Sequence, residues 1–391
     1  MVASLIRITG DWDLAEDCVQ DAVERALVNW PRDGMPRTPA AWLTTVARNR
    51  ALDVLRRRQT ERAKLQERAV LDELARHDLP RPGSGYGLGA DDRLRLIFTC
   101  CHPALPLDGQ VALTLKTVAG LSTAEIAQAF LVSEPTMSQR LLRTRRKIAH
   151  AGIPYRVPPD ELLAERTSGV LAVLYLIFNQ GYGRPDDHLA VEALRLARLL
   201  VELMPDDDEV RGLLALVAFQ MSRRSTRFDT DGELVPIEDQ DRGRWDAALV
   251  DEGRTHLSRT AHSGRPPGPY RLQAHIAACH AAAPAAEATP WDTIVILYDA
   301  LLAAQPSPVI ALNRAIAIGF RDGYKAGLSE LAALDPQALA GYYLLPAARA
   351  DFLRRLGRGD EARRAYLAAL ELVPSGRPEQ RFLRRRIAEL S

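Results

Sequence analysis

The sequence predicts an all-α protein, and three stretches carry the prediction. Residues 121–147, LSTAEIAQAFLVSEPTMSQRLLRTRRK, read as two short helices around a tight turn. Residues 11–58 read as an acidic helix, a Pro-rich loop and a basic helix. Beyond Pro159 the chain turns Leu- and Ala-rich, with helix-break-helix units that close on proline. At 391 residues it has room for two to four domains.

From the amino terminus, the first strong pattern is Asp11 to Leu27, with six acidic residues before its first base, Arg25. Pro31 to Pro39 follows with three prolines and a glycine, and is expected to be a loop. In Ala40 to Arg58, Trp42, Leu43, Val46, Ala47, Leu52 and Leu55 fall on one face. Arg48, Arg50, Arg56, Arg57 and Arg58 crowd the remainder. An acidic surface beside a basic one points to a protein partner on one side and nucleic acid on the other. Gln59 to Ala90 ends in DLPRPGSGYGLGA and reads as a flexible connector, with a short helix considered at Glu61 to Arg76.

The stretch Leu94 to Pro103 contains Cys100, Cys101 and His102. Adjacent cysteines without a C-x-x-C partner suit core packing better than metal, and Cys18 and Cys279 are isolated. Four cysteines without framework spacing suit a reducing cytoplasm. Downstream, Ser122 and Glu125 have capping-box spacing, so a helix is expected from Thr123. Leu131-Val132-Ser133 is the expected turn, Ser133 the next N-cap, and Pro135 falls in the first turn of the second helix. Met137, Leu141 and Ile148 should pack inward, while Thr136, Gln139, Arg143 and Arg146 face outward. From Pro135 to Pro159 there are six Arg or Lys and no acid, whereas the whole chain carries a net charge of only +1. The basicity is therefore local, as phosphate contacts require, and the frame fits a DNA major groove.

In this order the three motifs resemble the sigma-70 family, specifically the extracytoplasmic-function (ECF) group of RNA polymerase sigma factors. DLAEDCVQDAVERAL is similar to their region 2.2, AWLTTVARNRALDVLRRR to regions 2.3 and 2.4, and LSTAEIAQAFLVSEPTMSQRLLRTRRKI to region 4.2. The resemblance covers roughly the first 155 residues. It implies docking of Asp13, Glu16, Asp17, Gln20 and Asp21 on the clamp helices of the β′ subunit, and of region 4 on the β flap. It implies reading of the promoter −35 element by Ser133, Thr136, Ser138, Gln139 and Arg143. Arg140, Arg145, Arg146 and Lys147 are better placed for phosphates, which position a helix without specifying sequence. The melted −10 strand would meet Arg37, Trp42, Arg48, Asn49, Arg50 and Arg56, with an unstacked base held in the loop Arg32 to Pro39. Trp42 reads either as a core anchor or as a stacking surface. The connector would thread near the polymerase active site and RNA exit path. Met1-Val-Ala-Ser-Leu-Ile resembles the end of the first region-2 helix, which implies a start upstream or a shortened variant with an under-packed region-2 core.

The expected domains are region 2 at 1–62, a linker at 63–92, region 4 at 93–155 and a helical array at 156–391. Tyr343 to Pro374 matches the tetratricopeptide (TPR) pattern through Ala350, Gly357, Ala362, Tyr366, Ala369 and Pro374, while Val309 to Pro336 and Leu171 to Pro205 are degenerate units. LAVLYLIFNQGY at 171–182 and RLQAHIAACHA at 271–281 resemble segments of the C-terminal extension found in some of these sigma factors. Such extensions are taken to regulate the factor, through a protein partner or an intramolecular contact. Asp229 to Glu233 reads as a hairpin turn at Asp231-Gly232 and not a calcium loop; Asp206 to Glu209 reads as a solvated loop. Val170 to Phe178 is nine apolar residues, half a membrane span. No cofactor, metal or membrane is called for, and the expected location is the cytoplasm. The rival reading is a helix-turn-helix regulator with a TPR sensor module that binds duplex DNA alone; the Pro31–Arg58 stretch speaks against it. An enzyme in the C-terminal half has scattered histidines (His188, His256, His262, His275 and His280) but no nucleophile–base or phosphate-loop motif.

Overall fold

The computed structural model describes residues 1–67, 90–130, 132–182, 188–260, 264, 266–373 and 377–390. The chain divides into two compact units, Met1–Val173 and Leu174–Ser391, and the division falls inside one helix. Among the described residues, the extended structure noted is a single antiparallel bridge, Phe228 to Leu234.

The first unit opens with α1 (Val2–Thr9), α2 (Trp12–Asp33) and α3 (Pro39–Glu67). Asp11 caps α2 by accepting from the Leu14 amide at 3.1 Å, and Leu14, Ala15, Cys18, Ala22 and Ala26 form its buried stripe. Leu5 and Ile6 of α1 are buried as well. The loop expected from Pro31 to Pro39 is shorter than predicted, because α2 continues through Pro31 to Asp33. A proline this close to a helix end removes one backbone donor and leaves the preceding turn intact. Termination comes from Gly34, at φ 83°, whose amide donates to the Trp30 carbonyl at 3.0 Å. At the other end α3 runs on to Glu67, into the stretch read as connector; 68–89, with the rest of that connector, lie outside the described residues.

The unit continues with α4 (Ala90–Cys100), α5 (Leu107–Thr114), a π-helical turn at Leu115–Ala119, α6 (Thr123–Ala129) and α7 (Glu134–His150). The Ser122–Glu125 capping box forms as expected: the Ser122 amide donates to Glu125 Oε2 at 2.7 Å and the Glu125 amide to Ser122 Oγ at 3.2 Å. Ser133 caps α7 with Pro135 in its first turn; Leu131, in the expected turn, lies outside the described residues. Met137, Leu141 and Ile148 are buried, joined by Thr144, whose hydroxyl donates to the Arg140 carbonyl at 2.9 Å. Cys100 and Cys101 are buried core residues, and α1 packs on α4. At that junction the Ser4 hydroxyl donates to Asp92 at 3.2 Å. The Tyr155 hydroxyl lies 2.9 Å from the Ala3 carbonyl and 3.0 Å from that of Asp92.

From α8 (Asp160–Tyr182) onward the helices are α9 (His188–Leu203), α10 (Asp208–Ser222), α11 (Ala247–Arg259), α12 (Pro269–Ala282), α13 (Trp291–Ala304) and α14 (Pro308–Asp322). They end with α15 (Tyr324–Ala332), α16 (Leu344–Arg355), α17 (Gly359–Leu372) and α18 (Pro378–Ala388). Beyond α12 the helices pack mainly on their sequence neighbours, while α10 packs on α12 as closely as on α11, and the second unit carries a series of small cores instead of one large one. Leu272, Ile276, Ile294, Val295, Leu301 and Ile318 fill one, Leu312, Leu331, Leu339 and Phe352 the next, and Tyr366, Val373 and Leu383 the last. Ala350, Ala362, Tyr366 and Ala369 are all buried at the α16–α17 crossing, and Gly357 takes φ 74° between those helices; Pro374 lies outside the described residues.

Two turn readings fare differently. Asp229 to Glu233 is a turn, with Gly232 at φ 71° and the Asp229 amide donating to the Glu233 carbonyl at 2.9 Å. Asp206 to Glu209 is not merely solvated. Asp207 caps α10, Asp208 sits 3.5 Å from Arg271, and Glu209 accepts from the Tyr270 amide at 2.8 Å. The acids satisfy donors of two helix starts: the Asp207 cap is local, whereas the contacts of Asp208 and Glu209 with α12 could not be seen by a local reading.

Candidate nucleic-acid and polymerase interface

The capped start of α7 fixes which side chains point away from the core. Ser133 and Thr136 close the cap, with hydroxyls 2.8 Å apart, and both are exposed. Ser138, Gln139 and Arg143 follow on the exposed face, and Arg143 Nε donates back to the Gln139 carbonyl at 3.3 Å. Arg146 and Lys147 are exposed one turn later. This row of hydroxyl, amide and guanidinium groups on a rigid helix can meet base edges, with cations beyond it for phosphates.

Two of the expected phosphate contacts are instead engaged within the unit. Arg140 lies 3.6 Å from Asp108 and over the Phe130 ring, 5.5 Å from its centroid. Arg145 is only 15% exposed and reaches α2, donating to Asp13 at 2.7 Å and to Glu16 at 2.5 Å. A fork holding two carboxylates is a strong charge-assisted arrangement. It joins a residue expected on DNA to two residues expected on polymerase.

On α3, Arg50 donates to Asp21 of α2 at 2.7 Å, so a second basic residue is tied to the acidic helix. Asn49 is exposed, Arg48 is half-buried, and Arg56 lies 3.8 Å from Asp53. Arg37 is exposed just before α3. Trp42 is half-buried edge-to-face with Trp30, ring centroids 5.6 Å apart, so its indole is positioned by α2.

Asp17 and Gln20 are exposed on α2, with Gln20 3.4 Å from Glu24. The acids do not stand alone there. Leu27, Val28 and Met35 are 72%, 63% and 71% exposed. Large apolar side chains left exposed on and just after the helix that carries the carboxylates suit a surface that meets a partner. The sequence reading missed it. The signal was available for Leu27 and Val28, which lie on α2 off the stripe of Ala15, Cys18, Ala22 and Ala26 that faces the core.

Among the described residues no group of three or more His, Cys, Asp or Glu side chains is arranged to hold a metal ion, and no helix is long and apolar enough to cross a membrane. His262 lies outside the described residues. Burial pushes the thiols of Cys100 and Cys101 upward, so both stay protonated near neutrality. Iodoacetamide should therefore leave Cys100 and Cys101 unlabelled in the native chain and label both in denaturant, as read by peptide mass spectrometry.

Comparison with known proteins agrees with this layout. The family described as Sigma-70 region 2 matches residues 1–61, and Sigma-70, region 4 matches 95–148. A family of unknown function, DUF6596, matches 166–261. An uncharacterized protein of Rhizobium meliloti (strain 1021) is 42% identical over 403 residues, an alignment spanning all of this chain and 93% of that protein. With both promoter-recognition regions in order and a helical extension behind them, the chain belongs to the sigma-70 family, in its ECF-like form with a C-terminal extension.

Proposed function

We propose that this chain binds core RNA polymerase and directs initiation at promoters that it reads at two elements. The observation that carries the reading is the capped helix α7, with Ser138, Gln139, Arg143, Arg146 and Lys147 exposed on it, in a chain that also contains region 2. Ser138, Gln139 and Arg143 contact −35 base edges, Ser133 and Thr136 flank them at the helix start, and Arg140, Arg145, Arg146 and Lys147 take the phosphates. Arg37, Arg48, Arg50 and Arg56 track the melted −10 strand, with Asn49 and Trp42 beside it. Asp13, Glu16, Asp17, Gln20 and Asp21 meet the β′ clamp helices, extended by Leu27, Val28 and Met35, while region 4 meets the β flap. The chemistry belongs to polymerase, so this chain is a specificity factor and works in the cytoplasm. The helices beyond residue 155 form a TPR-like extension that regulates it.

Run-off transcription tests the proposal. Purified chain added to core polymerase should give discrete transcripts from a subset of promoter fragments. Transcripts that appear only when another sigma factor is present would favour the duplex-binding regulator instead. Arg143→Ala should cost about 1–3 kcal/mol of discrimination at a single −35 position, the worth of a bidentate guanine contact. Lys147→Ala should lower affinity evenly across sequences and reduce the salt slope by about 1. Binding isotherms at several salt concentrations on a panel of −35 variants separate the two effects.

A further inference from the structure

Residues 223–246 connect α10 to α11 with nothing longer than two single 3-10 turns. The connection carries Asp229, Asp231, Glu233, Glu238, Asp239 and Asp241 around an apolar run, Leu234-Val235-Pro236-Ile237. Its acids reach helices more than a hundred positions away in the sequence. Arg355 of α16 is ion-paired with Glu238. On α18, Arg385 lies 2.7 Å from Glu233 and 4.0 Å from Asp229, Arg386 lies 3.8 Å from Asp239, and Arg381 donates to the Gly232 carbonyl at 2.7 Å. Arg242 fastens the far end by donating to the carbonyls of His280 at 2.7 Å and Ala283 at 2.9 Å. The segment, folded through turns at Asp229–Glu233 and Pro236–Asp239, is therefore held against the helices of the array by paired charges.

The fit is incomplete. Beside Pro236, Ile237 and Glu238 lies a cavity of about 390 Å³, walled by Trp291, Phe320, Phe352 and Phe382. The Trp291 and Phe320 rings stack there with centroids 4.6 Å apart. His280 lines the same cavity with a buried Nδ1 that no protein group among the described residues meets with a hydrogen bond. Against such apolar walls water is a poorer neighbour than an apolar side chain would be. The built-in segment thus pairs with arginines that also hold Asp351 and Glu389, within or at the end of their own helices, and it leaves the aromatic space open. A segment with the same acids and a larger anchor in place of Ile237 would keep the ion pairs and fill the volume.

We propose that α13, α14, α16 and α18 form a peptide-binding groove occupied by residues 229–239 of this chain itself, and that its partner is an acidic peptide segment bearing an aromatic anchor. The tethered segment competes at high effective concentration, so the groove opens only to a better-fitting ligand. The inference rests on reading the extension as regulatory. Its test uses neither polymerase nor promoter, so either reading can fail alone.

The probe is a fluorescein-labelled synthetic peptide of residues 229–241 carrying Ile237→Trp, titrated against the full chain by anisotropy. In the Glu233→Lys/Glu238→Lys chain the tethered segment is repelled by the arginines, and affinity for the probe should rise at least tenfold over the unaltered chain. Adding Arg385→Glu/Arg386→Glu should remove that gain, and the probe that keeps Ile237 should bind at least fivefold more weakly. Val235→Ser/Ile237→Ser loosens the segment without charge reversal and should give the same order of affinities, with thermal unfolding confirming that each variant is folded. Equal affinity of released and unaltered chains, or of the Trp and Ile probes, would overturn the proposal. So would indifference to the arginines, which would leave the cavity to an uncharged small molecule.

Discussion

Phe352→Ala should lower the stability of the second unit by about 3–5 kcal/mol, the range for removing a fully buried aromatic side chain. Phe352 is 1% exposed, and its ring packs onto Gly319 of α14 and Gly327 of α15. A Cβ built at either glycine would overlap that ring. Phe320 and Tyr324 complete the contact, with centroids 6.1 Å and 5.6 Å from Phe352. Three helices therefore meet on one aromatic side chain, and the glycines exist to admit it. Gly319→Ala should cost about 1–3 kcal/mol by overpacking. Combined with Phe352→Ala it should cost less than the two summed, because the smaller side chain makes room for the new methyl. Hydrogen exchange reads this locally: protection should fall over α14, α15 and α16 and stay unchanged in α2 and α7, as expected when helices pack mainly on their neighbours.

What could be read in the sequence was what depends on neighbours in the chain. Ser122, Glu125, Ser133 and Pro135 announce two helix starts through interactions within one turn, and the structure has both. The burial of Met137, Leu141 and Ile148 follows from helical period alone. Pro31 was misread for a physical reason, since proline signals a break from sequence but near a helix end costs one hydrogen bond. The Asp207 cap was local and could have been read, but Asp208 and Glu209 were misread because a run of acids looks the same in water as over a second helix start. Distinguishing them requires Tyr270 and Arg271, some sixty positions away.

The same limit applies to the candidate interface. Period and charge gave which α7 side chains face outward, but not that Arg145 turns back to α2 or that Arg50 is held by Asp21. Charge counting treats each base as free for phosphate. In the folded unit, opposite charges find one another first, and any ligand must compete with those pairs. The arginines of α16 and α18 repeat the lesson, because nothing local to Arg355 or Arg386 announces the acids that they hold.

Arg145→Glu should move the two proposed binding activities in opposite directions. As folded, Arg145 occupies Asp13 and Glu16, two of the residues proposed to meet polymerase, and so is itself kept from phosphate. Reversal removes both ion pairs and sets a third carboxylate beside two others. Like charges about 4 Å apart interact at roughly 4 kcal/mol in partly buried surroundings. Solvent reduces this at Asp13, which is 66% exposed, more than at Glu16, which is 28% exposed. The contact between α7 and α2 should open. Affinity for core polymerase should then rise about tenfold, the scale of 1–2 kcal/mol no longer spent on breaking the pairs. Affinity for a −35 duplex should fall by at least as much, because a carboxylate at this position of α7 repels phosphate and the guanidinium is no longer there to be released to it. Arg145→Lys, which keeps the charge but loses the fork, should lie between the unaltered chain and the reversal on the polymerase arm and leave the DNA arm nearly intact. Surface-immobilised core polymerase and a labelled −35 duplex, each titrated separately at one salt concentration, give the two arms. A fall on both would mean that Arg145 braces the fold of this unit and does not hold it closed.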